Sequence, residues 1–174
     1  MVKCQMTKIK VNPRGFTLIE LLLVIGIISI LAAIILVAVD PPKRFAQSRD
    51  ARRSAEVYSI LNAVLNYISD NVGALPTGLD SDSATAQVIG TGSACNVGCT
   101  PAGTTLTSCL DLGATAVSLV DEYIARMPVD PRGTNGTYTY DSTRTGYYIN
   151  KTSNSRILIG ACNPERVTSI TAQR

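Results

Sequence analysis

The sequence has no histidine and no tryptophan among its 174 residues, and only 5% of it is aromatic. Without histidine it lacks the commonest general base and the imidazole ligand, which excludes most hydrolase triads and every histidine-bearing zinc site. Charged residues are also sparse at 17%, and a formal net charge of +3 is too small to argue a nucleic-acid binder. Phosphate-cradling or dinucleotide-type glycine patterns are missing, and no nucleophile stands beside a base. An enzyme is the least favoured class, and neither a catalytic residue nor a cofactor is expected. The length allows one modest domain. A mean hydropathy of +0.18 with so few aromatics means that apolarity is concentrated in one place.

That place is residues 21–39, LLLVIGIISILAAIILVAV, without a single charge. As a helix the run spans roughly 28 Å, close to the hydrocarbon thickness of a bilayer. A secretory signal has a shorter apolar region ending in a small-residue cleavage site, whereas here Asp40, Pro41, Pro42, Lys43 and Arg44 follow. The first fifteen residues carry Lys3, Lys8, Lys10 and Arg14 and no acid, which keeps this end cytoplasmic and sends the C-terminal part outside. From Phe16 onward twelve basic residues face thirteen acidic ones, a balance of −1, so the basic excess belongs to the leader. Glu20 is the anomaly, because an unpaired carboxylate costs about 2–3 kcal/mol if it reaches mid-bilayer.

Residues 14–20 read RGFTLIE. Following a short basic leader and preceding the apolar run, this segment resembles the cleavage and methylation motif of type IV prepilins and of type II secretion pseudopilins. The resemblance implies a membrane prepilin peptidase that cuts between Gly15 and Phe16 and methylates the new N-terminus of Phe16. It also implies an assembly role for Glu20, paired with the amine of a neighbouring subunit as helices pack into a filament. A cationic partner is what a desolvated carboxylate needs. Many pilins carry a proline at the position of Val37 and a glycine at that of Ser29, flanking a stretch that unwinds in the filament. This chain has neither, which moves the expected helix break to Asp40, Pro41 and Pro42.

After the break Lys43, Arg44, Arg49, Arg52 and Arg53 mix with Asp50 and Glu56. The five cations read as a solvated face or a lipid-headgroup anchor. Nucleic acid is not an expected partner, since no aromatic platform is interleaved among them. Val57, Ile60, Leu61, Val64, Tyr67 and Ile68 follow at helical spacing and predict an amphipathic stem under a small sheet. Gly73, Pro76 and Gly78 end it. Residues 77–107, rich in Gly, Ser, Thr and Asp, predict loop, with only a weak apolar hint at Val88 and Ile89. Val117, Val120 and Ile124 suggest a second short helix over residues 114–126, closed by Pro128 and Pro131. Residues 137–141, 146–150 and 156–161 are β-prone runs between polar turns and predict an antiparallel meander.

Cys4 lies in the leader, and Cys95, Cys99, Cys109 and Cys162 lie outside. An external location and spacings unlike zinc knuckles favour disulfides over a metal site. Four cysteines allow three pairings, and the preferred one joins Cys95 to Cys99 and Cys109 to Cys162. Asp130, Asn135 and Asp141 lie in a segment, MPVDPRG and beyond, similar to the calcium-binding loop of major pseudopilins. The ligand pattern does not carry over, Asp130-Pro131 reads as a turn initiator, and no metal is assigned.

The expected organisation is a removable leader over residues 1–15, a transmembrane and assembly helix over 16–40, an amphipathic stem over 41–72 and an external domain over 73–174. The expected fold is α+β and pilin-like, a long N-terminal helix packed against a small antiparallel sheet. The leading function is a structural subunit of a type IV pilus-like filament, stored in the cytoplasmic membrane and then assembled outside by pilus machinery. A type II secretion pseudopilin is the alternative within that machinery, and a membrane-anchored binding domain that never polymerises is the alternative from another class.

Overall fold

The computed structural model describes residues 15–92, 98–99, 105–113 and 118–174. The chain divides into two compact units, Met1–Pro41 and Pro42–Arg174.

The first unit is built on helix α1, Leu18–Val39. Thr17 caps its N-terminus in extended conformation, and the helix buries none of its residues. Its large apolar side chains are 44% to 86% exposed. Twenty-two residues make a rod of roughly 33 Å, hydrophobic all round. Such a helix requires either lipid or other protein around it. It ends at Asp40, whose left-handed φ of 47° breaks the helical path, and Pro41 opens the next helix at a position where its missing N–H costs nothing.

In the second unit, helix α2, Pro41–Asp70, is followed by strands β1, Thr85–Ile89, and β2, Thr105–Leu110. A single turn, α3, Leu119–Glu122, comes next, and then strands β3, Tyr147–Lys151, β4, Ile157–Ala161, and β5, Thr171–Gln173. The five strands form one sheet in the order β2-β1-β3-β4-β5. β1 pairs with β2 in parallel, with a register shift between Ala86 and Gln87. The other pairings are antiparallel.

Strand alternation sets the two faces. Tyr147 and Ile149 of β3 and Ile157 and Ile159 of β4 turn toward α2, where they meet Val57, Ile60, Leu61, Val64 and Tyr67 in one core. This is the stem stripe expected from the sequence. On the far face Ala86, Val88, Tyr148, Tyr140 and Cys99 form a second, smaller cluster. Gly160 lies directly opposite Tyr148 in the ladder. A Cβ there would come within 2.4 Å of the ring, so only glycine lets the tyrosine lie across β4.

The architecture is α+β and pilin-like, with the sheet mixed rather than antiparallel. Residues 85–89 and 105–107 are strand where loop was expected. Their Thr and Gln residues break up any apolar alternation, and pairing supplies the order instead, β2 lying parallel to β1 and β1 antiparallel to β3. Residues 137–141 form no strand. Asn135 Oδ1 accepts the Thr137 and Tyr138 N–H groups, and the Tyr140 N–H donates to the Gly133 carbonyl, which winds this stretch into turns. The second helix shrinks to α3, interrupted by non-helical backbone at Val120 and Asp121; Val117 lies outside the described residues.

The preferred disulfide pairing is overturned, because Cys99 bonds to Cys162. Neither Cys95 with Cys99 nor Cys109 with Cys162 is then possible. Cys99 belongs to the far-face cluster against which Cys162, just past β4, packs. Proximity in the fold outweighed proximity in sequence. Cys109 is itself disulfide-bonded, and Cys95 lies outside the described residues.

Candidate functional site

Two groupings of polar residues stand out, one in each unit. In the first, Gly15, Phe16 and Thr17 precede the helix. Phe16 is 84% exposed, and among the described residues a Cβ on Gly15 would meet nothing within 4 Å. The Gly15–Phe16 peptide bond therefore lies in accessible, non-helical chain, the form a peptidase needs to bind. Glu20 lies in the first turn of α1. Its Oε2 accepts both the Thr17 N–H and the Thr17 hydroxyl at 2.9 Å, while the Glu20 N–H donates to Thr17 Oγ1 at 3.3 Å. This is a reciprocal capping box, which satisfies helix-end donors and places a carboxylate at the positive end of the helix dipole.

In the second unit, one of the five stem cations departs from the solvated face expected of them. Arg53 is fully buried. Its Nε and Nη2 each donate to Asp130 at 2.8 Å, and its Nη1 donates to Asp50 at 2.7 Å. Nη2 also lies 3.0 Å from Glu165. Arg49 makes a two-point contact with Glu165 at 2.7 and 2.6 Å. Asp50 accepts the backbone N–H groups of Glu165 and Arg166 at 3.0 and 2.7 Å. Arg52 pairs with Glu56, which also accepts the buried Tyr147 hydroxyl. One guanidinium thus joins α2 to the Asp130 turn and to the C-terminal segment. Its planar fork suits bidentate pairing inside a protein.

Gly146, at a left-handed φ of 82°, passes so close to Asp130 that a Cβ would lie 2.9 Å from the Asp130 Cβ. Asp130, expected to initiate a turn, does so as well: its Oδ1 accepts the Arg132 N–H at 2.9 Å. Asn135 and Asp141 are occupied by backbone amides of their own turns. Among the described residues, no three His, Cys, Asp or Glu side chains converge as a metal site.

Burial disfavours the charged form of Arg53, yet Asp130, Asp50 and Glu165 together more than offset it and raise its pKa. For Glu165 the Arg49 hydrogen bonds act first, and with the Arg53 charge they outweigh burial and pull its carboxyl down to about 2. Burial pushes the Tyr147 hydroxyl up, and Glu56 adds to the shift. A depressed carboxyl stabilises the fold fully above its ordinary value of 4.5 and loses that contribution as pH falls toward about 2. The domain's melting temperature is expected to fall across this window. Glu165→Gln, melted in parallel, is expected to be less stable at neutral pH and to show a flatter dependence. An unchanged slope would remove Glu165 from the account.

The buried role of Arg53 was missed in the sequence, although a signal was present. Ala46, Asp50 and Arg53 continue the Val57 stripe backward at helical spacing, and all three are buried. A charge on an apolar stripe points to a buried partner.

Residues 11–36 match the family described as the prokaryotic N-terminal methylation motif. This is the class III signal peptide of type IV prepilins and pseudopilins, and it covers the Gly15–Phe16 bond, Glu20 and most of α1. No curated protein sequence and no solved structure matches the chain.

Proposed function

Starting from a chain that carries this methylation signal, we propose that it is a structural subunit of a type IV pilus-like filament. It is stored in the cytoplasmic membrane through α1 with the second unit outside. It is cut between Gly15 and Phe16, methylated on Phe16, and extracted into a helical assembly with other copies of itself. The observation that carries the reading is the combination of an entirely unburied apolar helix with a carboxylate, Glu20, in its first turn. A plain membrane anchor would use that carboxylate only to cap its helix, whereas an assembling helix also uses it to receive the amine created on Phe16. The chain is then a substrate of the peptidase and performs no catalysis of its own.

Mass spectrometry of surface filaments should find methylated Phe16 as the N-terminus; an intact Met1, or processing beyond Val39, would overturn the reading. Glu20→Ala is expected to leave the subunit in the membrane and reduce filaments at least about tenfold, in line with loss of a desolvated charge pair. Because alanine also removes half of the capping box, Glu20→Gln serves as the control: its amide oxygen still accepts from Thr17 but carries no charge. Filaments from Glu20→Gln at normal yield would assign Glu20 a capping role alone.

A further inference from the structure

The five cations of the stem divide into two groups. Arg49, Arg52 and Arg53 are engaged by carboxylates of their own domain, Glu165, Glu56 and Asp130. Lys43 and Arg44 are not. Both are exposed, neither pairs with a carboxylate among the described residues, and Arg44 contacts only the side-chain oxygen of Gln47, at 3.3 Å. Beside them Phe45 is 64% exposed, although Ala46 on the same turn is buried. Asp40 is the one acid between α1 and Phe45 and leaves this short segment net positive.

Position along the chain gives this trio a meaning. Phe45 follows Val39, the last residue of α1, by one non-helical residue and five helical ones, a reach of at most roughly 13 Å. The headgroup layer of a bilayer is about 5–8 Å deep on each side. Long cationic side chains snorkel to phosphates, and aromatic rings settle at the boundary between headgroups and acyl chains. An exposed ring flanked by two unpaired cations, within reach of that layer, matches its chemistry on both counts.

We propose that Lys43, Arg44 and Phe45 form an interfacial anchor on the outer leaflet of the cytoplasmic membrane, with the two cations on the phosphates of anionic phospholipids and the ring at the acyl boundary. The proposal rests on the reading of α1 as a membrane span. The anchor fixes the depth at which the stored subunit sits and must be released when the subunit leaves the membrane.

The sequence has no tryptophan, so Phe45→Trp places a single reporter in the full-length protein. It is reconstituted at high lipid-to-protein ratio into vesicles containing phosphatidylglycerol or into vesicles of phosphatidylcholine alone. With phosphatidylglycerol the emission should be blue-shifted, shielded from acrylamide and quenched by lipids brominated near the headgroup. Adding Lys43→Gln and Arg44→Gln should reverse all three, with the interfacial fraction falling about fivefold for each cation removed. Solvent-like emission open to acrylamide in phosphatidylglycerol overturns the anchor. So does a blue shift that follows protein density rather than lipid charge, since Phe45 would then meet a second copy. Alkaline carbonate extraction of the same vesicles separates the two levels. Protein released to the supernatant overturns the membrane span and the anchor with it, whereas retained protein with an exposed reporter overturns the anchor alone.

Discussion

Gly15→Val is expected to stop the precursor from maturing, and filaments should vanish with it, while the second unit melts as before. The structure makes this a clean experiment. Among the described residues a Cβ on Gly15 meets nothing within 4 Å, and the residue precedes the first helical turn, so a branched side chain disturbs none of them. The cost falls on the peptidase, whose site must admit the chain on the leader side of the bond. A scissile bond held about 1 Å out of place loses roughly 100-fold in rate. Immunoblots resolving precursor from mature subunit, with N-terminal sequencing, read the result. Normal maturation of Gly15→Val would mean that the cleavage lies elsewhere, and the assignment of Phe16 as the mature N-terminus would fail.

The second large effect is on stability. Arg53→Leu removes a fully buried guanidinium and leaves Asp130, whose side chain has no exposure, without its counter-ion. Stranding one half of a buried pair costs about 3–5 kcal/mol. The domain is expected to lose on the order of 10–20 °C in melting temperature. The double variant Arg53→Leu with Asp130→Leu should recover part of the loss, because the stranded carboxylate goes with its partner. Recovery stays incomplete, since the Arg132 N–H loses its acceptor too. Thermal unfolding followed by circular dichroism distinguishes the outcomes. A loss below about 1 kcal/mol, typical of surface pairs, would show that the cluster behaves as if hydrated.

The two units were legible in the sequence to different degrees, for physical reasons. The membrane-length run and RGFTLIE depend on local chemistry alone, and residues 18–39 are helical as their composition requires. The stripe from Val57 to Tyr67 likewise survives because a helix face is set by spacing. Of the sheet, Tyr147–Lys151 and Ile157–Ala161 were visible through their β-branched and aromatic residues. β1 and β2 were not, since their order comes from each other through a parallel pairing that no local pattern encodes. Residues 137–141 misled in the opposite direction, having strand composition but turn hydrogen bonding. The Cys99–Cys162 bond depends on the same long-range geometry. Arg53 lies between these cases: its spacing was readable, while its partner 77 positions away was not.

The guanidinium of Arg53 also has a mechanical consequence. Under the proposed function, a subunit hauled by its N-terminal helix would receive the load through the first turns of α2, and the bonds from Arg49, Asp50 and Arg53 to Asp130 and to the backbone and side chain of Glu165 would be among the first long-range ties that load meets. Several must yield together, because Glu165 is shared by both arginines. The Arg53–Asp130 pair has no side-chain exposure and is shielded from dissolved ions, so this tie between the stem and its domain should weaken little between fresh water and brine.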